Sequence, residues 1–345
     1  MSVHEKYIKK CLKLAAKGFG SVAPNPMVGC VIVHKGKIIG EGYHEKYGGP
    51  HAEINAINPV KKKELLKGST LYVSLEPCAH HGKTPPCADA ILKYGIKKVV
   101  IGSVDPNPLV KGKGIAKLIH GGCDVITGVL EKECMDLNKR FFTFHSEKRP
   151  YIILKWAMTK DGFMDINRQM GEKPLKITGA QANKLSHTWR SEEQAIMVGT
   201  NTAVMDNPKL TTRNVKGRSP VRIVIDRNLS IPANSNIFSN FASVVVLNAK
   251  KNAKQGNIEF VKMKFKGNVL GSAMTELYKR NIQSVIVEGG AKLLNSFIEQ
   301  GLWDEARLFS SGTKIGAGIK APAFSYKATS KIKAGNDTLT QYVRK

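Results

Sequence analysis

The tightest constraint on this chain is a set of donors that have to meet in space: His51, Cys78 and Cys87. One imidazole and two thiolates are three zinc ligands. A catalytic zinc site takes three from the protein and leaves the fourth position for water. Glu53, two residues past the histidine, is not needed as a ligand and is free to move protons. Cys78 stands 27 positions after His51 and follows Pro77, so the chain between them leaves the site and returns to it. A lone His-x-Glu, or two buried thiols, would mean little. The combination at this spacing is far more specific.

The flanking pattern supplies that return. Tyr7, Ile8, Cys11, Leu12, Ala15 and Ala16 mark an amphipathic first helix with lysines between its apolar positions. Met27 to Val33 and Ile38 to Tyr43 read as strands joined by a His34-Lys35-Gly36-Lys37 turn, a hairpin. His51 to Ile57 opens a helix. Ser69 to Leu75 is a strand, and Cys87 begins a helix to about Tyr94. Lys97 to Val104 is a buried-type strand, followed by a helix from Gly114 to His120 and a short strand from Cys123 to Thr127. Strands alternating with helices predict a layered α/β domain. Both parts of the donor set then lie at helix N-termini, which favour thiolate.

One helix is expected from Glu131 to His145, leading into a polar linker, Ser146 to Pro150. Beyond it the strand Tyr151 to Met158 opens a second domain. Its further strands are Ala195 to Gly199, Val221 to Asp226, Ser243 to Leu247 and Ser284 to Glu288. Helices from Gly179 to Trp189 and Ala291 to Gln300 lie between and after them, again an α/β pattern. The expected domains are residues 1–146 and 147–345. No G-x-G-x-x-G follows a strand, so the usual dinucleotide fingerprint is absent. Gly289-Gly290, between a strand and a helix, can bring backbone and helix N-terminus to a phosphate. The plainer reading is an ordinary strand-to-helix turn.

Composition excludes some classes. No stretch approaches ~18 uninterrupted apolar residues, so no membrane span is expected, and the N-terminus is no signal peptide. Four of the six cysteines stand in isolated apolar or helical contexts, which argues against a disulfide framework and for a reducing cytoplasm. The net charge of +27 attracts polyanions, but the lysines are spread along the chain with only Lys61-Lys62-Lys63 as a run. No specific nucleic-acid partner is expected from that distribution.

His-x-Glu followed by Pro-Cys and a second cysteine is the layout of zinc-dependent nucleobase deaminases. There the cysteines are separated by two residues; here eight intervene, Ala79 to Pro86, including His80, His81 and Lys83. A lysine beside the metal suits a substrate phosphate. The runner-up is a tRNA-type nucleic-acid base deaminase with an accessory domain. Charge favours it, and the long cysteine spacing counts against it. A structural zinc module would want a fourth protein ligand.

The run Pro77-Cys78-Ala79-His80-His81-Gly82-Lys83-Thr84-Pro85-Pro86-Cys87 resembles the bifunctional deaminase–reductases of riboflavin biosynthesis. So do His51-Ala52-Glu53, Ala23-Pro24-Asn25-Pro26-Met27-Val28-Gly29 and Asp105-Pro106-Asn107-Pro108. The resemblance covers nearly the whole chain. It implies an N-terminal cytidine-deaminase-like three-layer domain and a C-terminal dihydrofolate-reductase-like α/β domain. It also implies zinc at His51, Cys78 and Cys87, Glu53 as the catalytic proton carrier, and NADPH in the second half. The substrate is then a phosphorylated pyrimidine, held by Asn25, His44, His80, Lys83, Asp105 and Asn107. Without the resemblance, Asn25, Asp105 and Asn107 read as turn formers beside prolines.

In the second half the resemblance rests on Lys155 to Gly162, Trp189-Arg190, and Val198 to Arg213. It implies cofactor contacts at Ala157, Thr202, Asp206, Gly289 and Gly290, and substrate contacts at Arg190, Leu210, Arg213 and Glu288. Arginines suit a phosphate through bidentate bonds. Lys176 stands before Ile177-Thr178 where the family usually has tryptophan, and Gly312 to Gly316 replaces a proline-containing run. A missing or changed cofactor contact is expected at Lys176. The family also implies a homo-oligomer, dimer or tetramer.

Overall fold

The computed structural model describes residues 1–81 and 85–344. It separates into two compact units, Met1–Lys148 and Arg149–Lys345.

The first unit is a five-stranded sheet ordered β2-β1-β3-β4-β5. Its strands are β1 (Gly29–His34), β2 (Lys37–Tyr43), β3 (Ser69–Leu75), β4 (Lys98–Ser103) and β5 (Asp124–Ile126). β1 pairs antiparallel with both β2 and β3, whereas β3, β4 and β5 run parallel. The turn of the β1–β2 hairpin puts Lys35 and Gly36 at positive φ, as a two-residue hairpin requires. Alternation along β1 builds two cores. Cys30 and Ile32 face one cluster with Ala56, Ile57 and Ile91, while Val31 and Val33 face the other with Ile8, Cys11 and Cys134. Helices α1 (Val3–Ala15) and α5 (Glu131–Leu137) cover the second face. Helices α2 (Ala52–Ile57), α3 (Cys87–Lys93) and α4 (Lys113–His120) cover the first, which completes three layers.

The helix expected over 131–145 is two helices, α5 and α6 (Lys139–Glu147), broken at Asn138. The break has a cause. Asn138 is buried, and its Oδ1 accepts the Met27 N–H at 2.8 Å while its Nδ2 donates to the Met27 carbonyl at 2.8 Å. That clamp fixes the end of the loop that carries Asn25.

The second unit has a ten-stranded sheet. The expected strands form its centre: β6 (Tyr151–Met158), β8 (Ala195–Gly199), β9 (Val221–Ile225), β10 (Val244–Asn248) and β13 (Ser284–Val287), all parallel. Either side of this centre lie strands that apolar runs alone did not reveal. They are β11 (Ala253–Gln255), β12 (Ile258–Lys262), β14 (Glu305–Ser310), β16 (Ser330–Ala334) and β17 (Asp337–Val343). A separate pair joins β7 (Phe163–Asp165) to β15 (Ile319–Lys320). Helices α7 (Ala180–Glu192) and α8 (Thr200–Met205) pack on one face, and α9 (Val269–Lys279) and α10 (Ala291–Glu299) on the other. Among the described residues no helix is long and apolar enough to cross a membrane.

Candidate active sites

α2 reaches the sheet because β2 offers glycine. A Cβ at Gly42 would lie 2.4 Å from the Ala56 N and 2.6 Å from the Ala52 carbonyl oxygen. Only glycine lets the helix sit this close. That approach sets His51, the N-cap of α2, and Glu53 in its first turn. Cys87 is the first residue of α3. The ligand atoms of His51, Cys78 and Cys87 all lie within 4.8 Å of one another. His51 Nδ1 is 3.5 Å from the Cys78 sulfur and 3.3 Å from the Cys87 sulfur, and the Cys87 N–H donates to the Cys78 sulfur at 3.4 Å.

The electrostatics suit a cation. Hydrogen bonding from Cys87, then from His51, lowers the Cys78 thiol to about 4 against the opposing effect of burial, so it is a thiolate at neutral pH. Cys87 moves the other way, because it shares a proton with Cys78 and is buried. A soft, partly ionised Cys–Cys–His set in tetrahedral reach is a zinc donor set. Glu53 is 3 % exposed. Burial first, then the Cys78 charge, raises its carboxyl to about 7, with His51 opposing. A carboxyl of that pKa can both accept and deliver protons near neutrality.

The remaining residues divide. His44 is buried beside the donors, its ring 5.4 Å from that of His51 and edge-on to it. Its Nδ1 donates to the Pro50 carbonyl at 3.0 Å and its Nε2 takes the Asn25 amide at 3.1 Å. Those partners fix the neutral tautomer, and burial lowers its pKa. Asn25 and His44 are therefore one hydrogen-bonded unit beside the donors. Asp105 and Asn107 close turns, with Asp105 Oδ1 accepting the Asn107 N–H at 2.7 Å and Asn107 Oδ1 accepting the Leu109 N–H at 3.1 Å. Burial first, with the Glu76 charge assisting, raises Asp105 to about 7. His80 is exposed, and Lys83 lies outside the described residues.

In the second unit a cavity of about 1200 Å³ opens beside β6, β8 and β13. Ala157, Thr202, Asp206, Glu288, Gly289 and Gly290 line it, and so does Lys176. The double glycine is more than a turn. A Cβ at Gly289 would lie 2.7 Å from Val198 Cβ and 2.8 Å from its Cα, so the turn packs directly against β8. Gly290 has φ +53 and begins α10. Arg190 and Glu288 form a bidentate pair with bonds of 2.6 and 3.1 Å. Burial alone would raise Glu288, but Arg190 and Lys155 hold it down at about 2. Arg213 donates its backbone N–H to the Nδ1 of buried His187 at 3.2 Å. Leu210 is buried in the core among Ile196, Val198 and Val224. Arg190, Leu210 and Arg213 are not among the residues lining the cavity.

Three residues with a part in these sites were not singled out by sequence. Arg168 pairs with Asp165 and Asp206, and donates to the Met205 carbonyl at 3.0 Å. It ties the loop after β7 to α8 across the cavity wall. Lys155, an ammonium inside an apolar strand, was visible as an oddity of the run Tyr151 to Met158. Glu76 is buried at the end of β3. A carboxylate closing an apolar strand just before Pro77-Cys78 was the signal there.

Residues 1–103 match the cytidine and deoxycytidylate deaminase zinc-binding region, and residues 150–338 match the RibD C-terminal domain. The riboflavin biosynthesis protein RibD of Aquifex aeolicus (strain VF5) is 41% identical over 92% of this chain and 89% of its own. That of Actinobacillus pleuropneumoniae is 39% identical over 98% and 94%. A solved diaminohydroxyphosphoribosylaminopyrimidine deaminase/5-amino-6-(5-phosphoribosylamino)uracil reductase from Thermotoga maritima superposes with a TM-score of 0.87. It is 38% identical, covering 98% of this chain and 97% of that one. Fold and sites together define a bifunctional enzyme, a zinc-dependent deaminase joined to an NADPH-dependent reductase. The chain belongs to the RibD family of riboflavin-biosynthesis proteins.

Proposed function

We propose that the first unit hydrolyses the 2-amino group of 2,5-diamino-6-(5-phosphoribosylamino)pyrimidin-4(3H)-one. The second unit then reduces the ribosyl group of that product to ribityl. The observation that carries the reading is the convergence of His51, Cys78 and Cys87 within 4.8 Å, with buried Glu53 in the adjoining helical turn.

Zinc held by those three residues supplies a Lewis acid that makes water a nucleophile near neutral pH. Glu53 takes a proton from the attacking water and passes protons to the ring nitrogen and then to the departing ammonia. Water adds its oxygen at the carbon that loses nitrogen, so one water enters and one ammonia leaves. The Asn25–His44 pair and the Asp105–Asn107 turn orient the pyrimidine, and His80 and Lys83 meet the phosphate end. In the second unit NADPH supplies the reducing equivalents. Ala157, Thr202, Asp206 and the Gly289-Gly290 turn hold the cofactor. Glu288, which lines the cavity and is paired with Arg190, positions the sugar end of the substrate.

The same reading makes the enzyme cytoplasmic, which its six free thiols suit. It also makes the enzyme a dimer or tetramer. The test supplies the diaminopyrimidine ribotide with and without NADPH and follows ammonia and the cofactor absorbance together. Ammonia in both reactions, and cofactor oxidation only with or after its release, is expected. Cofactor oxidation with no ammonia would overturn the assignment.

A further inference from the structure

Glu76 directly follows β3, two residues before Cys78, and is 4 % exposed. A buried carboxylate in an apolar setting needs several donors. This one has four, all from the backbone. Its Oε2 accepts the Asp105 N–H at 3.2 Å and the Gly112 N–H at 3.0 Å, and its Oε1 accepts the Gly114 N–H at 3.0 Å and the Ile115 N–H at 3.3 Å. These donors bracket the segment from Asp105 to the first turn of α4. The same turn rests on the metal loop, since a Cβ at Gly114 would lie 1.8 Å from the Pro77 carbonyl oxygen. On the other side, the Cys78 carbonyl accepts the Ala88 N–H at 3.1 Å, which links that loop to α3.

We propose that Glu76 is a positioning residue for deamination: its carboxylate fixes the Asp105–Gly112 loop against the loop that bears Cys78. The loop it fixes carries Asp105 and Asn107. Their turn bonds hold the segment's internal shape, and the Glu76 carboxylate ties both ends of the segment to the metal side. The charge matters as well as the shape. Two carboxylate oxygens can each accept two N–H bonds, whereas an amide offers one oxygen and one N–H₂ group. Glu76→Gln would set that N–H₂ group against two backbone donors. The loop then loses its register relative to the metal donors while the donors keep their own contacts with one another. This inference rests on the deaminase reading of the first unit.

The experiment compares Glu76→Gln and Glu76→Asp with the unaltered full-length enzyme. It measures zinc per chain, the KM and kcat of ammonia release from the diaminopyrimidine ribotide, and reduction of the already deaminated product by NADPH. Expected for Glu76→Gln are unchanged zinc, unchanged reductase activity and a KM raised about tenfold or more, with a smaller fall in kcat. Glu76→Asp keeps the charge but withdraws it by one methylene, so its KM lies between the two. Should Glu76→Gln yield no folded protein, Glu76→Asp carries the test alone, and a KM equal to that of the unaltered enzyme overturns the proposal. Loss of zinc in step with activity also overturns it, because the effect would then lie at the metal donors. If the unaltered, zinc-loaded enzyme releases no ammonia, the deaminase reading fails. If it does and both variants match it, only the role of Glu76 fails.

Discussion

Removing Arg190 should expose how much the reductase unit depends on one buried pair. Arg190 and Glu288 side chains are 13% and 9% exposed and joined by two bonds. The Glu288 carboxyl sits at about 2 instead of its ordinary 4.5. At about 1.36 kcal/mol per pKa unit, that difference is on the order of 3 kcal/mol of stability. A depressed carboxylate contributes above its ordinary pKa and loses the contribution as pH falls through the lowered value. The effect is therefore fully present at pH 7 and fades between about 4.5 and 2. Arg190→Met removes the partner and leaves the carboxylate buried, with Lys155 as its remaining cation. For a unit of this size, about 3 kcal/mol corresponds to a fall in Tm of roughly 6–12 °C. Calorimetry at pH 7 reads the fall, the reductase transition being the one NADPH shifts upward. Arg190→Met/Glu288→Gln should recover much of the loss, because the stranded charge is gone. A single variant within a degree or two of the unaltered protein, or a double variant less stable than the single, would refute the reasoning.

Other consequences are as direct. Gly289→Ala drives a methyl into Val198 Cα and Cβ, so the turn must shift; overpacking of this kind costs about 1–3 kcal/mol. The expected result is a raised KM for NADPH with deamination unaffected, checked by separate kinetics of the two reactions. Asp105 is raised to about 7, so its contribution is greatest below its ordinary 3.8 and is lost as pH rises through 7. Asp105→Asn should remove that decline and stabilise the first unit at pH 8. The comparison is Tm against pH for both proteins.

What the sequence disclosed follows from what local pattern can encode. His51, Cys78 and Cys87 were legible because metal ligation demands particular side chains whatever the fold. The parallel strands at the sheet centre were legible because burial on both faces writes them as apolar runs. The edge strand β16 and its neighbour β17 mix lysine, threonine and aspartate with few apolar residues, so their pairing is set by neighbours in space. Asn138 looked like one more helical residue. Its role depends on Met27, 111 positions away, and no local signal reports that. Asp105 and Asn107 fit a turn reading and a site reading at once; their hydrogen bonds show the turn, and turn bonds can also fix a segment that a ligand contacts. The pairing of Arg190 with Glu288 was hidden for the same reason as Asn138: it joins positions 98 residues apart.

The central claim is that His51, Cys78 and Cys87 hold zinc while Glu53 moves the protons. Its most direct test measures zinc per chain and ammonia release on one preparation of Glu53→Gln. The account predicts about one zinc per chain, as in the unaltered enzyme, and ammonia release slower by about 10²–10⁴-fold, the usual contribution of a positioned acid–base group. A zinc-loaded Glu53→Gln enzyme that releases ammonia at the unaltered rate would contradict it.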